Sequence, residues 1–134
     1  MASVRKDFIV NASADEVWDV LADFGAVDTR LAPGFVTACR LEDGHTRIIT
    51  FATGVVAREI LVDRDPQARR LAYAIVGGRL TQHSASAQVF AEGESRCRFV
   101  WIADFLPDEL AGYFGTQMEL GAAAMRAALE KAAA

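Results

Sequence analysis

Residues 107–134 read PDELAGYFGTQMELGAAAMRAALEKAAA, and the way this stretch buries itself decides the fold. Pro107, Asp108 and Glu109 open a helix. Proline lacks the N–H that a first turn leaves unpaired, and the acids face the positive end of the helix dipole. Leu110, Phe114, Met118, Gly121, Met125 and Leu129 then recur every three or four residues on one face. Arg126 and Lys131 stand at the other end, where cations are favoured, and the alanine-rich remainder is made of strong helix formers. A helix of about 24 residues spans roughly 36 Å, and its apolar stripe needs a surface to cover it.

The chain before it supplies that surface. Residues 4–11 alternate, with Val4, Phe8 and Val10 on one side and Arg5, Asp7 and Asn11 on the other, as in a half-buried strand. Ser13-Ala14-Asp15-Glu16 matches a capping box, and Val17, Leu21 and Phe24 follow at helical spacing with Trp18 alongside. This helix ends near Gly25. A weak helical turn over residues 26–31 is stopped by Pro33-Gly34. From residue 35 onward the period is that of strands: 35–41, 46–51, 55–62, 71–76, 80–90 and 96–105. They are separated by turn sequences such as Glu42-Asp43-Gly44-His45 and Glu92-Gly93-Glu94-Ser95. Short connections predict antiparallel neighbours. The expected architecture is α+β: a curved seven-stranded antiparallel sheet wrapped around a long C-terminal helix, with a short helical segment between strands 1 and 2.

Composition narrows the function classes. The 134 residues suit one domain, 52% of them are hydrophobic and 24% charged, and the net charge is −4. The basic residues are scattered, so no stripe for phosphate neutralisation exists and nucleic acid is excluded as the expected partner. The opening MASVRKDFIV places charge where a secretory apolar core would lie. No apolar run is long enough to span a bilayer, so neither a leader nor integral membrane association is expected. Cys39 and Cys97 form no metal-type pair and read as reduced thiols of a cytoplasmic protein. P-loop, GxGxxG, HExxH and GxSxG motifs are absent and the chain has only two histidines; no cofactor and no metal are expected. The oligomeric state is left open, a dimer included.

The order of elements, with Val17-Trp18 in the first helix, CRFVWIADFLP in the last strand and the terminal helix, resembles the START-like or helix-grip superfamily over essentially the whole chain. The compact loops are most similar to its polyketide cyclase/dehydrase and lipid-transport branch. That resemblance implies a single START-like ligand-binding domain over residues 1–134, with a cavity between sheet and terminal helix for lipids, polyketides or other aromatic compounds. Val76-Gly77-Gly78-Arg79-Leu80 resembles the mobile loop that closes over ligand in the abscisic acid receptor branch, although two residues shorter. Thr53-Gly54 stands where that branch has its other closing loop, here cut to almost nothing. Glu59, Tyr73 and His83 fall at positions that line the cavity there. The pocket lysine of that branch has no counterpart near Pro33, so no carboxylate anchor of that type is implied.

The residues themselves support some of these placements and leave others open. Alternation puts His83 on the side of Ala85 and Ala87, and small residues beside a polar ring suit a cavity wall better than a packed core. The alternative is a surface or satisfied histidine. Glu59 stands in an otherwise apolar strand, either inward or paired with Arg58 or Arg47 in solvent. Asp104 faces the cavity mouth or marks a strand end. Tyr73 and Tyr113 are the aromatics expected to face ligand, Trp18 is expected in the core, and Trp101 opposes Val100 and Ile102 across the sheet. Gly121 either leaves room for ligand or allows close helix–sheet packing. The expected ligand-binding set is Glu59, Tyr73, His83, Phe51, Ile75, Phe114 and Met118, with Gly77, Gly78 and Arg79 as entrance loop. The function expected is binding or carriage of a small hydrophobic ligand. The alternatives are a cofactor-free cyclase or dehydratase using His83 or Glu59 as acid or base, and a protein-interaction module with a largely filled cavity.

Overall fold

The computed structural model describes residues 2–134. Strand β1 (Ala2–Val10) leads into α1 (Ala14–Ala22) through the capping box read from the sequence. Ser13 Oγ accepts the Glu16 N–H at 3.1 Å, and the Glu16 carboxylate accepts the Ser13 N–H at 3.1 Å. Val17, Val20 and Leu21 form the buried face of α1. The expected weak turn is a 3-10 turn, Phe24–Ala26, followed by a π turn, Val27–Leu31.

Six strands follow: β2 (Val36–Asp43), β3 (Thr46–Phe51), β4 (Val56–Asp65), β5 (Arg70–Val76), β6 (Gln82–Ala91) and β7 (Cys97–Leu106). They pair in chain order, as short connections dictate. Strand β1 joins the far side of β7, in register from Ala2 opposite Phe105 to Val10 opposite Cys97. No local signal in β1 encodes that partner. Register shifts in β2 and between Leu61 and Asp63 of β4 mark bulges, which bend strands and strengthen twist. The sheet thereby curls around what lies on its concave face. Alternation selects that face: Phe99, Trp101, Ala103 and Phe105 of β7 are buried there with Ala85, Ala87 and Val89 of β6.

Across this face runs α2 (Ala111–Ala133), entered through a 3-10 turn over Asp108–Leu110 rather than directly from Pro107. Leu110, Met118, Met125 and Leu129 of the expected stripe are buried. The helix is tied to β1 by Lys6 to Glu119 at 2.6 Å, and to the turn that follows β1 by the Asn11 N–H to Glu130 at 2.8 Å. Gly121 is a packing glycine. A Cβ there would stand 2.9 Å from Phe35 and 3.1 Å from Trp101, both rigid rings. Close approach, rather than room for ligand, accounts for this residue.

The helical glycines therefore have opposite expected effects. Gly115 has nothing within 4 Å of a Cβ, so Gly115→Ala should stabilise the protein by about 1 kcal/mol through helix propensity. Gly121→Ala gains the same propensity but drives a methyl into two aromatic rings, and a net loss of about 1–3 kcal/mol is expected. Urea denaturation midpoints of the two variants check the contrast.

Candidate ligand-binding cavity

The upper part of the space between sheet and α2 is not filled. A cavity of about 390 Å³ opens there, within the size range of small-molecule sites. Every residue expected from the sequence to bind ligand borders it, as do the three entrance-loop residues. Ala57 and Ala103 are the small inward residues beside it, whereas Ala85 packs in the core. Phe35 and Trp101 also form its wall, and neither was expected there. The alternation of Phe99, Trp101, Ala103 and Phe105 was the signal that could have found Trp101.

His83 is buried and sits where the sheet splits. The β5–β6 ladder runs from Arg70 opposite Gln88 to Tyr73 opposite Ala85. Beyond it, the Ile75 N–H donates to His83 Nδ1 at 2.9 Å, so an imidazole takes the place of a backbone carbonyl. This bond fixes the neutral tautomer: Nδ1 accepts, so Nε2 carries the proton. Nε2 is neither sealed nor hydrogen-bonded, which leaves a donor open to the cavity. The ring lies between Tyr73 and Phe114, with centroids 6.0 and 5.9 Å away. Burial pushes its pKa down to about 4, against a weaker opposing pull from Asp104.

Glu59 is buried, and its partner is Arg47, directly opposite on β3. Arg47 Nε donates to Glu59 Oε1 at 2.9 Å, and Nη2 lies 2.7 Å from the same oxygen. Arg47 also donates to the Phe24 carbonyl at 3.1 Å, and its guanidinium lies 4.0 Å over the Phe24 ring. The pair was one of the readings open for Glu59, but its side chains are 6% and 5% exposed and so lie inside the protein rather than in solvent. Glu59 Oε2 has no hydrogen-bond partner and is not sealed, so the carboxylate keeps one free acceptor where the main cavity and a smaller void deeper in the core both border it.

Tyr73 stands on the strand between them. Its hydroxyl accepts the Trp101 Nε1–H at 2.9 Å and keeps its own proton for a further partner. Burial, reinforced by the Glu59 charge, raises its pKa well above the usual phenol value, so it acts as a neutral donor. Phe35, Phe51, Glu59, Tyr73 and Trp101 also border a smaller void of about 50 Å³ deeper in the core, and so form a partition beneath the main cavity.

At the mouth, Val55, Val56, Val76 and Tyr113 are exposed apolar residues. Gly77 and Gly78 have φ of +87° and +63°, a left-handed conformation that favours glycine, and they turn the loop after β5. Arg79 is the one cation bordering the cavity among the described residues. Asp104 is not at the mouth: it faces Ser3 across the β1–β7 ladder and accepts the serine hydroxyl. No three metal-ligating side chains cluster among the described residues, and no helix there is long and apolar enough to cross a membrane.

A curved antiparallel sheet gripping one long helix over an apolar cavity defines a START-like, helix-grip protein. The chain belongs to the polyketide cyclase/dehydrase and lipid transport family, which matches residues 1–134. No curated protein matches it. Among solved structures it is similar to a protein from Thermobifida fusca, 28% identical, with TM-score 0.80 over 97% of this chain and 91% of that one. A START superfamily protein from Mycobacterium smegmatis is 18% identical, with TM-score 0.76 over 96% and 97% of the two chains. Norcoclaurine synthase from Thalictrum flavum, in complex with dopamine and hydroxybenzaldehyde, is 20% identical, with TM-score 0.75 over 97% and 84%. The last two likenesses concern the fold alone.

The depressed His83 pKa has a definite sign in stability. The unfolded chain binds a proton near the ordinary value of about 6.5, but the folded one only near 4. Its contribution is therefore complete above pH 6.5 and is lost progressively as the pH falls toward 4, by about 3 kcal/mol. His83→Gln, which does not titrate in this window, should show a flatter profile. Urea midpoints of both proteins at pH 7, 6, 5 and 4 measure the difference.

Proposed function

We propose that this protein binds and carries a small hydrophobic ligand, ring-bearing or acyl, as one ligand-binding unit of 134 residues. One observation carries the reading: an apolar cavity of about 390 Å³ into which three polar groups converge, those of Glu59, Tyr73 and His83. Pockets of this construction use apolar walls for affinity and a few placed polar atoms for orientation. The family supports it, because its members include lipid carriers as well as cyclases. The open volume speaks for a carrier rather than for an interaction module with a filled cavity. Two unpaired thiols fit a reducing cytoplasm.

A second reading, a cofactor-free cyclase or dehydratase, is favoured by the unpartnered Glu59 oxygen in an apolar enclosure. Glu59 would move the proton in that case. His83 would polarise a carbonyl as a neutral donor, because its basic nitrogen is occupied by the Ile75 N–H.

The carrier reading is tested with prodan, a neutral naphthalene ketone whose emission reports polarity. The protein should bind it in a one-to-one ratio with a blue-shifted emission. Ala103→Phe, which fills the cavity without touching a polar group, should weaken binding at least tenfold. Equal binding by the filled variant would place the dye elsewhere and sink the reading.

A further inference from the structure

The space between the sheet and α2 is divided in two, and the divider is made of parts with little freedom to move. Along the inward stripe of the helix, Met118 borders only the main cavity and Met125 only the inner void of about 50 Å³. Gly121 lies between them, about one helical turn from each. At that level the rings of Phe35 and Trp101 lean on the helix backbone. A Cβ on Gly121 would stand 2.9 Å from the first ring and 3.1 Å from the second. Each ring is also pinned on its far side. The Trp101 Nε1–H donates to the Tyr73 hydroxyl at 2.9 Å, and Phe35 stands edge-on to Phe51 with centroids 5.4 Å apart. Behind this septum the void is walled mainly by aliphatic side chains such as Ile49, Leu71 and Ala87.

We infer that the septum of Phe35 and Trp101, seated on Gly121, fixes the depth of the cavity and so the length of ligand the protein accepts. The inference rests on the carrier reading and adds a length limit to it. Gly121 is then a positioning residue: it borders neither space, and it acts by letting two rings close the floor. Each methylene that an apolar chain buries on its way down is worth about fourfold in affinity. That gain ends at the rings. A chain that passed them would break the Trp101–Tyr73 bond and push two packed rings into their neighbours, which a close-packed interior resists. The void beyond is apolar volume that the ligand does not reach. The position of the septum, not the total space, therefore decides the longest chain held.

The test titrates the intact protein with homologues of prodan whose acyl chain grows from acetyl to dodecanoyl, followed by probe emission. Wild-type affinity should rise about fourfold per methylene and then level off at one chain length. Phe35→Ala and Trp101→Leu open the septum independently, so either serves if the other does not fold. In an opened variant the break should move to longer chains. A homologue two methylenes past the wild-type break should then bind roughly tenfold more tightly than it binds the wild type. Ala87→Val, which fills the inner void, should leave the wild-type break in place and draw the break of an opened variant back toward it. Gly121→Ala drives the rings off the helix and should shift or erase the break, whereas Gly115→Ala, whose methyl meets nothing, should not. A wild-type series without a break overturns the inference, as does a break that neither opening moves or that Ala87→Val does not draw back. The carrier reading survives each of these results, because it stands on prodan itself. If neither prodan nor any homologue binds, both fall.

Discussion

The buried ion pair between Arg47 and Glu59 is the constraint on which both the lower core and the cavity depend. Arg47 joins three separate pieces of chain: its own strand, the facing strand through Glu59, and the turn after α1 through the Phe24 carbonyl and ring. It thereby fixes where the α1 segment closes the bottom of the barrel-like curl. Removing one partner of such a pair leaves an uncompensated charge and typically costs about 3–5 kcal/mol. The pair also divides the acceptor capacity of Glu59. One oxygen is spent on the protein and one is left free beside the cavity, so a structural interaction sets the polarity of the proposed site.

His83 combines two tasks in a similar way. Where β5 and β6 part company, its Nδ1 replaces the missing carbonyl and keeps the Ile75 N–H satisfied. A buried amide left unpaired would cost about 1–3 kcal/mol, so the split is tolerated only because the imidazole spans it. The same bond removes the lone pair that a general base would need and aims the remaining N–H inward. The opening strands continue into the Gly77–Gly78 turn, so the mouth of the cavity and the orientation of its donor have one structural origin.

The fold was legible because its determinants are local and repeated. The six later strands, their order, the capping box and the inward stripe of the last helix all follow from periodicity and turn chemistry. The pairing of β1 with β7 was not legible, since its partner lies about a hundred residues away and nothing in the strand marks it. Tyr73, His83 and Phe114 border the cavity at positions where alternation and helical spacing point inward. Trp101 was missed as wall because its face is shared with core residues, and only the splay of the sheet separates the two environments. Glu59 could be read as inward or solvated because its partner is on another strand, and burial depends on curvature that bulges introduce. Gly121 was ambiguous for a like reason: a missing side chain signals close approach and open space equally, and only the Phe35 and Trp101 rings decide between them.

The cavity itself argues against an accident of packing. Around Val10, Val17 and Val89 the interior is filled with fully buried side chains, so this sequence is able to pack a core. Above the Phe35–Tyr73–Trp101 partition it places alanines at positions 57 and 103 and polar groups at 59 and 83, where larger apolar residues would close the space. At about 24 cal/mol per Å³, a dry void of this volume would cost on the order of 9 kcal/mol, comparable to the whole net stability of a small domain. A mouth open to solvent relieves part of that cost by admitting water, but it leaves apolar wall in contact with that water. A ligand that displaces the water recovers the apolar burial that the sequence forgoes, and the free atoms of Glu59, Tyr73 and His83 determine which ligand recovers most of it.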